Sequence, residues 1–548
     1  MSTPAPISIG QYLIDRLCAA GARHCFGVPG DYILGFYDLM AHSQLTHIGT
    51  TREDTAAFAA DGYARLQGLG ALAVTYGVGA LNVVNAVAGA YAENSPVVVI
   101  SGAPGISETT NDPLLHHRFG PFSFQREIFQ RITCAQAVLD DPLIALRQID
   151  RVLATAQRER LPVYIELPRD RVRVPGYPLP QEPAVDDTSD EAALREAVDE
   201  ALNLLKNSTA PILIAGQELH RRGLQDALLH FVTRTNIPTA ATLTGKSVIG
   251  ERHPSYLGVY EGAMSSDSAR KTVEQADCLL LLGVTLNDID TGVYTARLDP
   301  ARLIRASHNE VMIRHHRYPQ VRLTDFLAEL ARLAPRYTGT PLKLGAESPT
   351  APDFPRSQCA MTTARLVGRL NDALTDEFIV VADSGDCLFA ATELRVHQPA
   401  AFLASAYYTT MGFAVPAALG ASVARPDRRT LIVVGDGAFQ MTGTELSTHA
   451  RLGKASICVV FNNHGYATER FLLEGPFNDI AEWNVHEFGK IFGPLRGFEA
   501  RTEEEFELAI TAALAERSCP SIINVHLATL DASPAMQRLT EHLRDRIK

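Results

Sequence analysis

The chain has 548 residues, of which 46% are hydrophobic and 20% charged, and its formal net charge is −12. This length exceeds what one hydrophobic core serves, since domains usually hold roughly 100–200 residues, so roughly two to four domains are expected. The composition excludes a disordered or fibrous protein. The negative net charge argues against a broad nucleic-acid-binding surface, which would need clustered Lys and Arg.

The eight cysteines are scattered without CxxC pairs and mostly lie among apolar residues, which predicts small thiols in a reducing compartment. The N-terminal segment MSTPAPISIGQYLIDRL lacks a basic region followed by an apolar run. No stretch approaches the ~20 apolar residues of a membrane-spanning helix. We therefore expect a cytoplasmic protein with no membrane and no nucleic-acid partner.

Two Pro-rich and acidic stretches, residues 175–191 and 338–355, interrupt the periodic pattern and indicate linkers. Apolar runs such as APILIAG and CLLLLGV alternate with helical patterns between them, which is typical of a parallel α/β sheet. The fold class predicted is therefore α/β with three domains, the central one Rossmann-like. Their predicted bounds are residues 1–175, 190–337 and 356–548.

The first and last thirds of the chain show a weak internal duplication. Residues 77–102 and 411–437 each place a small-residue helix before a bare apolar strand, and RLPVYIELP (160–168) matches SCPSIINVHL (518–527) as a closing strand. We therefore predict two domains of similar fold flanking a third, although α/β folds resemble one another in general.

Polar residues follow two strands of the last third. LIVVGDG ends in a turn containing Asp436, whose glycines let phosphate oxygens approach the backbone N–H groups. VVFNNHG supplies a side-chain oxygen from Asn462 or Asn463, and a helix fills the gap of 27 residues between Asp436 and Asn463. One carboxylate, one amide oxygen and a carbonyl from the Gly465 turn predict an oxygen site that suits Mg²⁺ and not zinc.

At this spacing, GDG followed by NN resembles the thiamine diphosphate-binding motif of thiamine-dependent enzymes. The resemblance implies Mg²⁺ ligation by Asp436, Asn463 and the Gly465 carbonyl, with N–H groups near Gly437 and Ala438 touching the diphosphate. The full cofactor-binding set that it implies is Glu53, Ser384, Asp386, Met411, Gly435, Asp436, Gly437, Ala438, Asn463, Gly465 and Tyr466.

Thiamine chemistry implies two further devices. In TTREDTAAFAADGYAR, Glu53 matches the family's carboxylate that hydrogen-bonds the pyrimidine ring and activates the cofactor as a base. Asp54 is its neighbour and rival, and a surface carboxylate at a helix start is the alternative for either residue. Met411 matches the apolar residue that holds the cofactor bent, or else fills the core. Asp386 stands where relatives often carry Thr, which leaves an unexplained anion near the diphosphate.

Proton-transfer groups indicate the reaction. NDPLLHHRFG resembles the HH motif of pyruvate and indolepyruvate decarboxylases, which implies that His116 and His117 relay protons, and FGVPGDY likewise implies Asp31 as a catalytic acid. Glu469 matches a glutamate beside the reacting carboxylate, or else is an exposed helix-start residue paired with Arg470. A second pair of histidines, in RHHRYPQ, has no motif around it and is predicted to be surface.

The resemblance covers essentially the whole chain and implies decarboxylation of a 2-oxo acid to an aldehyde and CO₂, with thiamine as the electron sink. Thr468 stands where relatives that prefer pyruvate carry a bulky Ile. With Leu388, Phe389 and Leu472 lining the rest, an apolar space for a longer substrate is expected, so aromatic or branched 2-oxo acids are favoured over pyruvate.

In the family, one subunit supplies Glu53, Asp31 and the histidines, and another supplies Asp436, Asn463 and Glu469. The resemblance therefore implies a homodimer as the minimal active unit and a homotetramer as the assembly. The tail, residues 533–548, predicts a helix with a Ser cap that is either a lid on the pocket or a packed terminal helix.

Three alternatives stay open at this point. The first is a pyruvate decarboxylase or a carboligase such as acetolactate synthase, which would use the same cofactor site. The second is a non-catalytic cofactor-binding protein on a retained fold. The third is a middle domain that binds a nucleotide as an accessory, although residues 190–335 contain no compelling dinucleotide fingerprint.

Overall fold

The computed structural model of the chain describes residues 7–177, 188–338 and 353–547, with side chains as far as residue 542. Most of the two predicted linkers and the last apolar side chains of the tail therefore lie outside the described residues. The described parts form three α/β units, each built around its own sheet.

The elements of the first unit are β1 Ile7–Ser8, α1 Ile9–Ala19, β2 His24–Gly27, α2 Leu34–Ala41, β3 Thr46–Gly49, α3 Glu53–Gln67, β4 Gly70–Val74, α4 Val78–Asn82, α5 Val84–Ala92, β5 Val97–Ala103, α6 Phe124–Phe129, β6 Ala135–Val138, α7 Ala145–Glu159, β7 Val163–Pro168 and β8 Pro175–Gly176.

The middle unit contains α8 Glu191–Asn207, β9 Pro211–Ala215, α9 Gln217–Arg221, α10 Gln225–Thr235, β10 Thr239–Ala241, β11 Tyr256–Val259, α11 Asp267–Glu274, β12 Cys278–Leu282, β13 Leu303–Ser307, β14 Glu310–Ile313, β15 His316–Pro319 and α12 Leu323–Leu333.

The third unit contains α13 Thr363–Ala373, β16 Phe378–Ala382, α14 Asp386–Ala391, β17 Phe402–Ala404, α15 Ala414–Ala424, β18 Arg429–Gly435, α16 Asp436–Thr442, α17 Leu446–Arg451, β19 Ile457–Asn462, α18 Ala467–Leu472, α19 Gly489–Phe492, β20 Arg496–Ala500, α20 Glu503–Ala515, β21 Ser521–His526 and α21 Pro534–Ile547.

The first and third units have the same topology. Their six-stranded sheets run in the orders β3-β2-β4-β5-β7-β6 and β17-β16-β18-β19-β21-β20, and every pairing within them is parallel. Counted along the chain, both orders are second, first, third, fourth, sixth, fifth. The prediction of two similar α/β domains flanking a third is confirmed, and β7 and β21 are equivalent closing strands as predicted.

The predicted alignment inside this duplication is wrong by one unit. Residues 77–102 end in β5, the fourth strand of its domain, whereas residues 411–437 end in β18, the third strand. The equivalent of α15 and β18 is therefore α3 and β4. The reason is physical, since each crossover in a parallel sheet needs a helix with small residues followed by a buried apolar strand, so successive units look alike in sequence.

The middle unit is a seven-stranded sheet in the order β11-β10-β9-β12-β13-β14-β15. Its first five strands are parallel, as the alternating pattern predicts, but β14 and β15 add an antiparallel edge. The second pair of histidines lies at the start of β15, where His315 precedes the strand and His316 is its first residue. His315 is exposed, and His316 lies 3.0 Å from Glu200, so the prediction of a surface position is confirmed.

Helices α3 and α15 pack against each other and join the first unit to the third. A Cβ atom on Gly62 would lie 2.3 Å from the carbonyl oxygen of Ala417, and one on Gly420 would lie 1.9 Å from that of Ala59. Only glycine lets the two backbones approach this closely. Both sheets consequently share one continuous hydrophobic core.

The core of the third unit contains a fully buried histidine, His449. Its Nε2 lies 3.1 Å from the Val415 carbonyl oxygen, and its Nδ1 lies 2.8 Å from Ser456 Oγ, which accepts a hydrogen bond from Thr430. The ring is therefore neutral, with its proton on Nε2. Burial lowers the pKa of His449 to about 4.

Two expectations about environment can be compared with the fold. All eight cysteines are free, as the absence of paired spacings predicts. Among the described residues, no helix combines the length and the apolar character that crossing a lipid bilayer requires.

Candidate active site

Glu53 is the first residue of α3, a position where the helix dipole favours a carboxylate. Asn82, at the end of α4, donates a hydrogen bond of 2.8 Å to Glu53 Oε2. The rival carboxylate is already occupied, because Asp54 pairs with Arg52 at 2.9 and 3.0 Å and accepts from the Thr55 N–H. Of the two acids, Glu53 is the one with a free carboxylate oxygen beside a polar partner.

The predicted proton-relay residues of the first domain lie together. His116 Nε2 is 2.9 Å from Asp31 Oδ2, and the His116 and His117 ring centres are 4.8 Å apart. Tyr32 stacks on His116 at 4.8 Å, and its hydroxyl lies 3.4 Å from His116 Nδ1. Because an ionised carboxylate only accepts hydrogen bonds, the His116 proton sits on Nε2. Arg169 approaches Asp31 at 3.4 Å.

The loop that carries the histidines is fixed by hydrogen bonds from Arg118 and by a close backbone contact. Arg118 donates to the carbonyls of Asp112, Pro113 and Gly120. A Cβ on Gly77 would lie 2.2 Å from the His117 carbonyl oxygen, so Gly77 gives this loop its room. His117 Nδ1 is buried without a hydrogen-bond partner, which is typical of a functional or ligand-binding atom.

The predicted metal ligands of the third domain also lie together. Strands β18 and β19 are parallel neighbours, with Gly435 opposite Phe461, so Asp436 and Asn463 follow at one edge of the sheet. Asp436 Oδ2 accepts from the Gly465 N–H at 3.0 Å. Burial raises the pKa of Asp436 to about 6, against backbone hydrogen bonds that lower it.

The turn after β19 is held in place by hydrogen bonds from Arg470. Its guanidinium donates to the His464 carbonyl oxygen at 3.1 Å, to Asp479 at 2.6 Å and to Glu474 at 2.6 Å. Arg470 is buried, whereas Glu469 is exposed on the first turn of α18. Glu469 is thus an exposed residue at a helix start, as one alternative expected, but it does not pair with Arg470, which binds this turn instead; its catalytic role stays a prediction.

Met411 lies in a loop that Asp383 anchors. The Asp383 carboxylate, fully buried at the end of β16, accepts from the N–H groups of Gly412 and Ala414 at 2.9 and 2.7 Å. Ser384 donates to the Thr410 carbonyl oxygen at 3.2 Å in the same loop. Met411 is partly buried and packs against the hydrophobic core, and its role at the cofactor stays a prediction.

The structure gives Asp386 a different partner from the one predicted. Its carboxylate accepts from the Ser533 N–H at 2.8 Å and from the Ser533 hydroxyl at 2.6 Å, just before α21. Ser533 in turn caps the helix by accepting from Met536 N at 3.3 Å. The unexplained anion is thus accounted for, because Asp386 ties the C-terminal helix to α14.

Phe389, also on α14, belongs to a small cluster with Met264, Ala535, Met536 and Leu539. The C-terminal helix therefore packs beside a predicted pocket residue.

The other predicted pocket residues differ in how much of their surface is exposed. Thr468 is half-buried on α18, and Leu472 at the end of the same helix is 82% exposed. Leu388 is only 1% exposed and belongs to the core of the third domain, so it lacks the free surface that a pocket-lining residue needs. This part of the prediction is wrong because a buried helix face looks the same in sequence as a pocket wall.

The predicted diphosphate-binding turn, Gly435 to Ala438, has different surroundings at each of its glycines. The N–H of Gly437 donates to its neighbour Asp436 Oδ1 at 2.9 Å, and its contact with a diphosphate stays a prediction. A Cβ on Gly437 would lie 2.6 Å from the Tyr466 ring, whereas one on Gly435 would meet nothing within 4 Å. Gly435 borders open space, and Ala438 follows in the first turn of α16.

These residues fit the group that the motif implies. Asn463 Oδ1 is buried and has no hydrogen-bond partner, which is costly unless a cation or water completes it. A carboxylate oxygen, this amide oxygen and the Gly465 carbonyl are the hard ligands that Mg²⁺ prefers. The carbonyl already accepts from Ala467 N at 3.1 Å, but its second lone pair can serve a cation.

Four supporting residues were missed by sequence reasoning: Asn82, Tyr32, Asp383 and Arg169. Tyr32 follows Asp31 directly and Asp383 precedes Ser384, so adjacency to a motif was the available signal for these two. Asn82 and Arg169 are 29 and 138 residues from the acids that they contact, and only the fold brings them together.

Three family models match the chain in order. They are the N-terminal TPP-binding, central and C-terminal TPP-binding domains of the thiamine pyrophosphate enzymes, over residues 7–130, 198–332 and 383–525. The matches to the first and third follow the two duplicated domains.

Similar curated proteins match over nearly the full length. The indole-3-pyruvate decarboxylase of Azospirillum brasilense is 37% identical over 93% of this chain and 94% of its own. The alpha-keto-acid decarboxylase of Mycobacterium leprae is 35% identical over 99% of this chain and 96% of its own. The alpha-keto-acid decarboxylase of Mycolicibacterium paratuberculosis is 35% identical over 97% of this chain and 95% of its own. The chain therefore belongs to the thiamine diphosphate-dependent 2-oxo acid decarboxylase family.

Proposed function

We propose that the protein converts a 2-oxo acid into an aldehyde and CO₂ without oxidation, using thiamine diphosphate and Mg²⁺, and that it prefers aromatic or branched substrates to pyruvate. The observation that carries this proposal is the pairing of an oxygen-rich turn with a separate proton-relay cluster. The turn is Asp436, Asn463 and Gly465, and the cluster is Asp31, His116 and His117.

The third domain would hold the cofactor by its diphosphate end. Asp436 and Asn463 would supply side-chain oxygens to Mg²⁺, and Gly465 its carbonyl oxygen. When bound, thiamine diphosphate supplies the electron sink for loss of CO₂. Met411, positioned by the hydrogen bonds of Asp383 to its loop, would support the bent cofactor.

The first domain would supply the acid and base groups. Asn82 orients Glu53 through one carboxylate oxygen and leaves the other to hydrogen-bond the pyrimidine ring. His116 holds a proton on Nε2 against Asp31, and Tyr32 fixes the ring by stacking on it. This pair can give a proton to the product carbon and recover it from water once the aldehyde has left.

The relay cluster and Glu469 are open to solvent in the described part of a single chain, since the side chains of His116 and Asp31 are 58% and 41% exposed. Glu469 is exposed, and Leu472, Leu473 and Phe477 beside it expose 82%, 66% and 63% of their surfaces. Exposed apolar groups rimmed by polar residues mark interaction surfaces, and this chemistry requires exclusion of water. The supply of the two groups by different subunits, in a homodimer and then in a homotetramer, is part of this proposal.

Mixed dimers test the shared site. Glu53→Gln and Asp436→Asn are each expected to be inactive alone. If each site takes Glu53 from one subunit and Asp436 from the other, a mixed dimer has one site with both changes and one intact site. Unfolding, mixing and refolding the two variants should therefore restore activity. A mixture that forms dimers but stays inactive would contradict the shared site.

Substrate preference is carried by Thr468, which is half-buried three residues after the metal turn. The test is kcat/KM for pyruvate, phenylpyruvate, indolepyruvate and branched 2-oxo acids with added thiamine diphosphate and Mg²⁺. Thr468→Ile should lower kcat/KM for the aromatic acids about 10-fold or more relative to pyruvate, since one or two methyl groups in a pocket change selectivity by roughly 10–200-fold.

Thr511→Ile, an exposed threonine on α20, is the matched control and should leave the ranking of substrates unchanged. If the unmodified enzyme turned over pyruvate far better than phenylpyruvate and indolepyruvate, the inference from Thr468 would be wrong. Acetolactate as the main product from pyruvate would instead favour a carboligase, and cofactor binding without release of CO₂ from any acid would favour a non-catalytic protein.

A further inference from the structure

A second group of metal-ligating side chains lies beside the predicted Mg²⁺ turn. His464, Glu482 and His526 each place one ligand atom within 4.8 Å of the others. Three separate segments deliver them: the turn after β19, the loop before α19, and the last residue of β21. We name these three residues the His526 cluster. None of them has a role in the proposed reaction.

His526 is 8% exposed, and its Nδ1 is buried without a hydrogen-bond partner. Its other nitrogen, Nε2, lies 2.9 Å from Glu499 Oε1 on β20 and 3.3 Å from the side-chain amide nitrogen of Asn524. The contact with the carboxylate is the shorter one, and a carboxylate only accepts hydrogen bonds, so we assign the ring proton to Nε2, which leaves the lone pair on Nδ1. Nδ1 lies 4.0 Å from Glu482 Oε1, on the side of the cluster.

This arrangement is the one found around histidines that bind metals. A metal-ligating histidine almost always donates its remaining N–H to a carboxylate or carbonyl, which fixes its tautomer and orientation. Glu499 takes that part here, and Arg501 in turn holds Glu499 at 2.8 Å. A buried nitrogen left unpaired costs about 1–3 kcal/mol, so an occupant of this position is expected on energetic grounds.

The loop that carries Glu482 is fixed on both sides. Gln440 donates to the Ala481 carbonyl oxygen at 2.5 Å, and Asp479 is bound by Arg470. His464 and Glu482 are exposed and line the same small cavity, which Asp436 also lines. Ligand atoms around tetrahedral zinc are about 3.3 Å apart for bonds of about 2.0–2.1 Å, a contraction that two exposed side chains can make.

We propose that the His526 cluster is a site for a transition-metal ion of the Zn²⁺ class, ligated by His464, His526 and Glu482 and separate from the Mg²⁺ site. Two nitrogens and one carboxylate oxygen suit Zn²⁺ or Co²⁺, whereas Mg²⁺ prefers oxygen alone. A fourth position stays open to water. Because His464 sits between two predicted Mg²⁺ ligands, Asn463 and Gly465, an ion here would brace that turn against β21.

The test is metal binding by the chelator-treated protein without thiamine diphosphate, with Mg²⁺ in excess throughout. Zn²⁺ is titrated by calorimetry, Co²⁺ by its visible spectrum, and the melting temperature is followed. His464→Asn removes one ligand and suits the positive φ of 62° at this position, and Glu482→Gln changes an exposed residue, so both should fold. Each should abolish one tight Zn²⁺ site and the Zn²⁺-dependent rise in melting temperature.

Glu499→Gln should weaken that site about 10–100-fold, as loss of an orienting carboxylate does elsewhere. Two controls exclude other sites. His116→Gln with His117→Gln removes the only other such group of histidines and acids among the described residues, and Asp436→Asn removes the Mg²⁺ carboxylate. Both should retain the Co²⁺ spectrum of the His526 cluster.

The proposal is overturned if the protein binds no Zn²⁺ below millimolar concentrations, in which case water satisfies Nδ1. It is equally overturned if the His464 and Glu482 variants bind like the unmodified protein, or if only the His116 and His117 variant or the Asp436 variant loses binding. None of these readouts uses turnover, so failure here leaves the proposed decarboxylase activity untouched.

Discussion

Adding one methyl group at Gly465 should disable the metal turn. Its φ of +142° disfavours any side chain, and the strain of such a position costs about 1–3 kcal/mol. The new Cβ would also lie 2.0 Å from the Asn478 carbonyl oxygen, where contacts under 3.0 Å are essentially never seen. The turn must therefore retreat by about 1 Å, which stretches the hydrogen bond of Gly465 N–H to Asp436.

A displacement of about 1 Å at a positioned group can reduce the rate about 100-fold. Gly465→Ala should therefore lower kcat/KM by about that factor and raise the Mg²⁺ concentration needed for half-maximal activity. Gly493→Ala is the matched control, since its φ is +91° but a Cβ there would meet nothing within 4 Å. It should show the strain alone, as a lower melting temperature with normal kinetics.

The measurement is steady-state turnover of each variant against Mg²⁺, with the melting temperature recorded in parallel. If Gly465→Ala kept kcat/KM within about threefold of Gly493→Ala, the turn would not hold the metal as argued. A loss of activity that tracks only the melting temperature would have the same meaning.

Two further predictions concern stability. The pKa of His449 is lowered to about 4 by burial and by Lys454, so below about pH 6.5 the unfolded chain binds a proton that the folded chain does not. His449 should therefore contribute about 2 kcal/mol to the fall in the free energy of unfolding between pH 7 and pH 5. His449→Gln should reduce the fall by about that amount in urea denaturation, whereas changing the exposed His42 to Gln should leave the fall unchanged. His220, whose pKa burial also lowers to about 4, contributes to the part that remains in His449→Gln. Ser533→Ala removes the N-terminal cap of α21 and the hydroxyl that donates a hydrogen bond to Asp386. Amide hydrogen exchange in α21 should therefore speed up about fivefold or more. Unchanged exchange would refute the anchoring role of Asp386.

The architecture could be predicted from the sequence because buried parallel strands appear in it as continuous apolar runs. The metal turn could be predicted because its glycines and polar residues follow two such runs. Asp436 and Asn463 meet at one sheet edge for this reason. The register of the duplication could not be predicted, since every crossover unit has the same pattern of small and apolar residues.

Side-chain partners that are distant in the chain could not be predicted either. The motif favoured Glu53 over its neighbour Asp54, but the contact that occupies Asp54, its pairing with Arg52, became known only from the structure. Asp386 looked like an anion at the diphosphate because its partner, Ser533, lies 147 residues away. Leu388 looked like a pocket wall because burial in a core and exposure to a cavity require the same residue type.

The contact between α3 and α15 joins a helix to its own counterpart, since each precedes the third strand of its sheet. It is isologous, as the interface of a twofold dimer is, with Gly62 over one backbone and Gly420 over the other. The first and third domains are therefore arranged like two subunits fused through the middle one. A larger side chain on the contact face of α3 would have to be accommodated by α15, and the reverse holds as well. The contact faces of these two helices can therefore change only together.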